Sequence, residues 1–463
     1  MAAASGHATS APLPGPSSVR TALPEVIWPA LPPARAAQIL SLQQQFRQSE
    51  RCAVEDRDAA QLLQLRRFVA WAGTGLPWYR ERLRHAGIEP GAPFSWQAFR
   101  RIPVLQRADV QGLHASFAAL AAPPDHGAAR DGATSGSTGV PVRFRRSGLA
   151  DLFEQAIVLR DHLWHQRDLT GRLAAIRFTE RGSSSSSWGG AVAEVFPTGP
   201  SDVLPLSTPL ERQVDWIVER APTYLMVTAS VLRELARVFL ERGLTLHSLR
   251  EVRTFGEVVG EDVREVVRAA WNVGIVDAYS ASETGTLALQ CPAHAHFHVQ
   301  SECALVEVLD DAGEPCAPGA IGRVVVTPFL NFAMPLLRYD IGDYAEVGAP
   351  CDCGRTLPVL RRIAGRVRNM LVYPDGQRRW PTFDLRALAA LGGIRQLQFV
   401  QPRRDTLLVR IATTGTGGAD WESRFRAIVC AALGYPFDIV FERVERIERT
   451  AGGKFEDFRC ECD

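Results

Sequence analysis

The segment Asp131-Gly132-Ala133-Thr134-Ser135-Gly136-Ser137-Thr138-Gly139-Val140-Pro141 alternates hydroxyls with glycines. With so little side-chain bulk, its backbone N–H groups can close around an anion, and its hydroxyls add further donors. A flexible linker has a similar composition. A linker, however, has no need to run straight into the apolar start of a strand, as this segment does at Val142-Arg143-Phe144. No Gly-Lys-Ser/Thr follows the glycines, so this is not a Walker-type loop.

Carboxylates stand in three further stretches. Glu283, in Asp277-Ala278-Tyr279-Ser280-Ala281-Ser282-Glu283-Thr284-Gly285, follows an apolar run that reads as a strand. The carboxyl end of a parallel strand is where open α/β sheets bind ligands; the plainer alternative is an acid capping a turn. Asp343, in Arg338-Tyr339-Asp340-Ile341-Gly342-Asp343, can accept hydrogen bonds from both hydroxyls of a ribose, or it can simply close the turn after Gly342. Gly256 and Glu257, in Thr254-Phe255-Gly256-Glu257, form another turn after a strand.

One cation stands apart. Of 52 Lys and Arg residues, a single one, Lys454, is lysine. In a chain that writes arginine almost everywhere, a surviving lysine marks a place that needs a compact ammonium rather than a wide planar fork, unless it survives by chance. Cys291, His294, His296 and His298 cluster after the Glu283 stretch, and Cys351-Asp352-Cys353 precedes Gly354-Arg355. Cys and His at short spacing suit tetrahedral Zn²⁺, with buried thiols and surface histidines as the plainer reading. Cys460 and Cys462 form another pair, which reads as a tail.

These residues need a frame. At 463 residues, 46% hydrophobic and 22% charged, the chain is an ordinary globular one, long enough for a large domain and a smaller one. A formal charge of +1 gives no reason to expect nucleic acid or an acidic membrane as partner. No apolar run approaches the roughly 20 residues that span a bilayer. Residues 1–33 are rich in Ala, Ser and Pro, lack the apolar core of a secretion signal, and read as a disordered tail. Nine cysteines, an odd number, argue for reduced thiols and a cytoplasmic location.

Helical spacing runs through residues 34–84, and a further helix is expected over 149–164. Apolar strands at 173–178, 224–228, 252–255 and 275–279 then alternate with helices to Arg242 and over 262–271. That alternation implies a largely parallel α/β layer structure. The five serines from Ser183 to Ser187 read as a mobile low-complexity loop. After Glu302, strands at 306–309, 323–327 and 344–347 are joined by Gly/Pro turns. From Asn369 a smaller α+β unit follows, with a hairpin turning at Pro374-Asp375-Gly376, strand pairs around Leu397 and Leu407, a helix over 421–433 and a strand at 439–444. The expected organisation is a tail over 1–33, a large unit over 34–368 and a small unit over 369–463.

Taken in order, these stretches resemble the adenylate-forming superfamily of acyl- and aryl-CoA ligases, luciferases and peptide-synthetase adenylation domains. Thr134-Ser135-Gly136-Ser137-Thr138-Gly139-Val140-Pro141 is similar to its phosphate loop, and Tyr279 to Glu283 to its Tyr-x-x-Ser/Thr-Glu stretch, in which Ser282 falls at the hydroxyl. Gly256-Glu257 resembles a turn that borders the nucleotide and acyl pockets. Arg338 to Asp343 matches the Gly-Asp stretch, Gly365-Arg366-Val367-Arg368-Asn369 the inter-domain hinge, and Gly453-Lys454 the Gly-Lys near the C-terminus. Val142 stands where many acyl-CoA ligases have lysine, a departure shared by the phenylacetate–CoA ligase branch. Asn369 stands where the hinge has aspartate, which leaves the ease of rotation open.

The resemblance covers residues 36–458 and implies a large N-terminal adenylate-forming domain with layered sheets and helices, plus a small mobile α+β C-terminal domain. It implies that Glu283 coordinates Mg²⁺, Tyr279 lies against adenine or the acyl group, Asp343 binds ribose, and Arg366 hydrogen-bonds ribose or phosphate. Lys454 would bridge the substrate carboxylate and the α-phosphate of ATP. Several small phenylacetate–CoA ligase-like proteins carry similar Cys and His stretches with zinc; by that match Cys291, His298, Cys351 and Cys353 are the ligands of a structural Zn²⁺. The expected reaction activates a carboxylic acid, aryl or arylacetic by analogy, as acyl-AMP and passes it to CoA. Expected partners are that acid and CoA or a carrier protein, without nucleic acid or membrane, and a homodimer is a candidate assembly. The alternatives are transfer to a free-standing carrier protein or an amine, a catalytically silent nucleotide-binding regulator, and a purely structural zinc protein.

Overall fold

The alternation read between residues 173 and 279 builds one half of a single large sheet. In the computed structural model, which describes residues 19–89, 92–134, 141–381, 383–413, 420–449 and 455–462, five strands run parallel. Their spatial order is Ser201–Pro205, Leu173–Arg177, Tyr224–Met226, Glu251–Phe255 and Gly274–Ala281. The helices Leu210–Arg220, Ala229–Glu241 and Glu261–Trp271 carry apolar residues at helical spacing. They bury Val214, Leu232, Leu235 and Val263 against Ile176, Leu225, Val252 and Ile275. Ala278 is an odd number of residues from Ile275 and so faces the other side of the sheet. It packs there with a cluster drawn from the helices Ala34–Ser49, Gly148–Trp164 and Gly190–Val195.

From Gly285 the sheet continues but changes direction. Gly285–Gln290, Phe297–Val299, Val359–Arg366, Tyr339–Val347, Ile321–Thr327 and Leu305–Leu309 add antiparallel strands in that spatial order. With the edge strand Ser183–Ser185, the sheet has 12 strands among the described residues. A third cluster joins Leu65, Phe68, Tyr79, Phe99 and Leu105 to Leu287, Val326 and Tyr339.

Three expectations change before Asn369. The helical stretch over 34–84 is three helices, Ala34–Ser49, Val54–Gly75 and Pro77–His85. Pro77 lacks an N–H and has a φ suited to a helix start, so it begins a new helix. The serine run is no free loop over Ser183–Ser185: it pairs with Ser201–Val203, and Ser184 Oγ donates to Asp202 at 2.6 Å. Within the expected tail, residues 19–33 form defined turns, with Arg20 N–H donating to Val195 C=O and Ala22 N–H to Leu31 C=O. Residues 1–18 lie outside the described residues. Among the described residues no helix is long and apolar enough to cross a membrane.

Beyond Asn369 a separate cluster forms around Leu371, Phe399, Leu407, Val409, Phe425, Val429, Ile439 and Phe458. Its four-stranded sheet runs Asp438–Arg443, Thr406–Thr413, Ile394–Arg403, Phe458–Cys460, under the helix Trp421–Leu433. Cys460, read as tail, therefore ends a strand that pairs in parallel with Phe399–Gln401. Three residues are too few for a periodicity to show.

Candidate active site and a cysteine–histidine cluster

The hairpin Arg130–Ala133/Arg143–Arg146 presents the glycine-rich segment. Ser135, Gly136, Ser137, Thr138 and Gly139 lie outside the described residues, but their base does not. Thr134 N–H donates to Val142 C=O at 2.9 Å, and Val142 N–H donates to Thr134 Oγ1 at 3.0 Å. The hairpin is thus closed at the point where the segment leaves and returns.

Glu283 sits in the tight turn between Gly274–Ala281 and Gly285–Gln290, where the sheet switches from parallel to antiparallel. The turn is anchored from helix Gly148–Trp164: Glu154 accepts from Thr286 N–H at 2.9 Å and Thr286 Oγ1 at 2.7 Å. Gly285 has φ +83°, and a Cβ there would meet Glu154 Oε2 at 2.6 Å. Only glycine lets the carboxylate come this close. Glu283 is buried and accepts from the Tyr339 hydroxyl at 3.3 Å, while Ser282 beside it is exposed.

Tyr279 donates to Asp343 Oδ2 at 2.9 Å, and Arg366 Nε donates to Asp343 Oδ1 at 3.1 Å. Asp343 and Arg366 are direct cross-strand partners, which fixes this contact. Burial, then the charge of Asp343, holds the Tyr279 phenol well above its ordinary pKa. Burial and the charge of Glu283 raise Tyr339 in the same way. Both therefore remain proton donors through neutral pH. Each Asp343 oxygen uses one lone pair here and keeps another for a ligand.

Glu257 follows Gly256, an exposed residue with φ +74°. Its Oε2 accepts from Ser230 N–H, at the start of helix Ala229–Glu241, at 2.8 Å. Its Oε1 accepts from Phe455 N–H at 2.8 Å, and Arg449 Nη1 stands 3.5 Å away. Lys454 lies outside the described residues; the residue that follows it is fastened to this turn. Asn369 makes a second link. Its Oδ1 accepts from Arg366 N–H at 3.1 Å, and its Nδ2 donates to Phe458 C=O at 2.6 Å. A cavity of about 350 Å³ opens beside it, lined in part by Arg107, Arg366, Met370, Arg378 and Cys460.

At the other end of strand Phe297–Val299, ligand atoms of Cys291, His296, His298 and Cys351 all lie within 4.8 Å of one another. Cys353 Sγ is 3.4 Å from His298 Nε2, so all four expected ligands converge, with His296 as a fifth donor that spacing alone did not single out. His296 Nε2 is buried without a hydrogen-bond partner among the described residues. Burial lowers His298 to about 4, so its imidazole is neutral and able to ligate. A soft, thiol-rich donor set of this kind fits Zn²⁺. His294 pairs with Asp352 instead, at 2.5 Å.

Carboxylate, phenols and guanidinium thus meet where the two halves of the sheet join, and most of the chain shares its fold with solved ligase structures. Against 2-hydroxyisobutyryl-CoA ligase in the postadenylation state in complex with 2-HIB-AMP, the TM-score is 0.71 at 22% identity, over 90% of this chain and 92% of that one. No family model matches the sequence. The phenylacetate–coenzyme A ligase of Thermus thermophilus is 31% identical over 362 residues, which is 75% of this chain and 79% of the relative. That of Escherichia coli is 26% identical over 350 residues, 70% of this chain and 74% of the relative. This kinship, together with the shared fold, makes the chain an adenylate-forming, AMP-producing acid–CoA ligase. Within that class the chain belongs to the phenylacetate–coenzyme A ligase family.

Proposed function

We propose that this enzyme activates an aryl or arylacetic acid with ATP, releasing pyrophosphate and forming acyl-AMP, and then transfers the acyl group to the thiol of CoA. The observation that carries the residue assignments is the convergence of Tyr279, Asp343 and Arg366 from three strands. In this reading Asp343 accepts the ribose hydroxyls while Arg366 and Tyr279 hold its carboxylate in place. Thr134, Ser135, Gly136, Ser137, Thr138 and Gly139 supply donors to the phosphates, and Gly256 and Ser282 border the nucleotide. Glu283 would hold Mg²⁺, which when bound neutralises charge at the phosphates. Lys454 draws the acid's carboxylate and the α-phosphate together, so that two anions can meet in line. Glu257 positions that lysine's segment through Phe455.

The units 34–368 and 369–463 are proposed to turn about Asn369 between the two half-reactions; their separate hydrophobic clusters support this. Cys291, His298, Cys351 and Cys353 would hold a structural Zn²⁺, cross-linking the residue-291 and residue-351 loops. Nine unpaired cysteines suit a reducing compartment, so we place the enzyme in the cytoplasm.

The test is mass spectrometry of products from ATP, Mg²⁺ and a panel of aryl, arylacetic and fatty acids, with and without CoA. Acyl-AMP that becomes acyl-CoA supports the reading. Acyl-AMP that persists beside CoA would reassign the acceptor to a carrier protein or an amine, and absence of any adenylate would refute ligation. Lys454→Ala should cut adenylation by roughly 10²–10³ and slow thioester formation from supplied acyl-AMP far less; equal loss in both steps would contradict the role of Lys454.

A further inference from the structure

The carboxyl ends of four neighbouring parallel strands, Leu173–Arg177, Tyr224–Met226, Glu251–Phe255 and Gly274–Ala281, share one edge of the sheet. Tyr279 and the Glu283 turn lie at that edge on the last strand. Arg177 stands at the end of the first. Its Nη2 lies 2.9 Å from the Met226 sulfur, and its guanidinium carbon 5.9 Å from the centroid of the Phe255 ring. The side chain therefore leans across two strands toward the one that carries Tyr279. Phe255 pairs with Ala278, the residue before Tyr279. Directly paired residues share a face, so the guanidinium lies on the Ala278 face of the sheet, next to the strand whose other face carries Tyr279.

The surroundings of Arg177 are unusual in this sheet. Arg167 is held by Asp161 and Glu251, Arg253 by Asp161, and Arg172 by Asp202. Among the described residues, Arg177 has a thioether and an aromatic ring for neighbours and no carboxylate. Crowding by those neighbours lowers its pKa, with no acid to offset the effect. Yet its side chain is reached by solvent. A planar cation with five donors thus stands at this edge with no carboxylate beside it among the described residues.

We propose that Arg177 is a specificity-determining residue that hydrogen-bonds an oxygen substituent at the far end of the acid. The substrate class is then an aromatic acid bearing a remote carboxylate or hydroxyl, favoured over the unsubstituted acid. This rests on the ligase reading above. Hydrogen bonds to charged groups commonly change affinity by about ten- to a hundredfold, and that sets the expected discrimination.

The experiment measures kcat/KM for acid-dependent pyrophosphate release with phenylacetate, para-methyl-, para-hydroxy- and para-carboxyphenylacetate, in the wild type, Arg177→Leu and Arg177→Lys. The wild type should favour the two oxygen-bearing acids by about ten- to a hundredfold. Arg177→Leu should lose that factor for those two alone, leaving the phenyl and methylphenyl acids within about threefold, and Arg177→Lys should keep part of it. Thermal unfolding without acid checks the fold; if the leucine variant melts early, the lysine variant carries the comparison. A uniform loss across all four acids, or a wild type indifferent to the substituent, overturns the assignment and leaves the ligase reading intact. No pyrophosphate with any acid overturns both.

Discussion

The backbone N–H of Phe455 donates to Glu257 at 2.8 Å, joining positions 198 residues apart. The same carboxylate caps helix Ala229–Glu241 through Ser230 N–H and faces Arg449. Glu257 thus fastens the segment after Lys454 to the turn beyond strand Glu251–Phe255, beside the Arg233–Asp457 ion pair at 2.9 Å. Glu257→Ala leaves two backbone donors without their acceptor, at about 1–3 kcal/mol each. Adenylation should fall by roughly ten- to a hundredfold, while conversion of supplied acyl-AMP to acyl-CoA falls less. Pyrophosphate release and thioester formation, assayed separately, check this; equal losses would contradict it.

Asn369 uses both ends of its amide, accepting from Arg366 N–H and donating to Phe458 C=O. An aspartate can make only the first bond and sets a negative charge against the Phe458 carbonyl. Asn369→Asp should therefore loosen this arrangement by about 1–2 kcal/mol, lowering adenylation about five- to thirtyfold. An unchanged adenylation rate in the same assay would show that the second bond does not hold the arrangement.

Metal analysis of the purified protein should find about one tightly held zinc per chain, as for one tetrahedral site. Cys351→Ser should lose it and lower the thermal midpoint. His296→Ala should keep it and His298→Ala should not; the reverse result would exchange the two histidines. A folded, metal-free wild type would remove the zinc assignment.

Burial raises Asp277 to about 6, partly offset by the Thr254 hydroxyl, which donates to it at 2.9 Å. An acid whose pKa is higher folded than unfolded binds its proton more tightly in the folded chain. Its favourable contribution is complete below the unfolded pKa and is lost as pH rises from about 4 to about 6. Asp277→Asn should remove that dependence, so the stability of the variant relative to wild type rises by up to about 3 kcal/mol across the window. Urea unfolding of both proteins at several pH values tests this; a constant difference would sink it.

Local chemistry was the most legible part of the sequence. Tyr279, Asp343 and Arg366 stand out from a few adjacent residues each, and the structure brings the three together, whereas residues 135–139 and Lys454 lie outside the described residues; apolar runs mark most strands of the large and the four-stranded sheet. Contacts between distant segments were not legible. Nothing near Glu257 announces Phe455, and nothing near Asn369 announces Phe458. Strand Phe458–Cys460 is too short to show a period, and the serines of Ser183–Ser185 have little strand propensity until Asp202 pairs with them. His296 was visible as one histidine of three, but only the turn that brings residues 291 and 351 together shows that its ring joins the cluster. Arg177 read as the end of a strand; its lack of an acid is a fact about neighbours.

The change from parallel to antiparallel at Glu283 divides the labour of the sheet. Met226, Phe255 and Arg177 belong to strands on one side of the junction, Tyr339, Asp343 and Arg366 to strands on the other. On the proposed reading, Arg177, which reads the acid, and the Asp343–Arg366 pair, which meets the ribose, stand on different halves of one sheet, with Tyr279 bridging them. A change at Arg177 can therefore alter the choice of acid while the Asp343–Arg366 pair keeps its place.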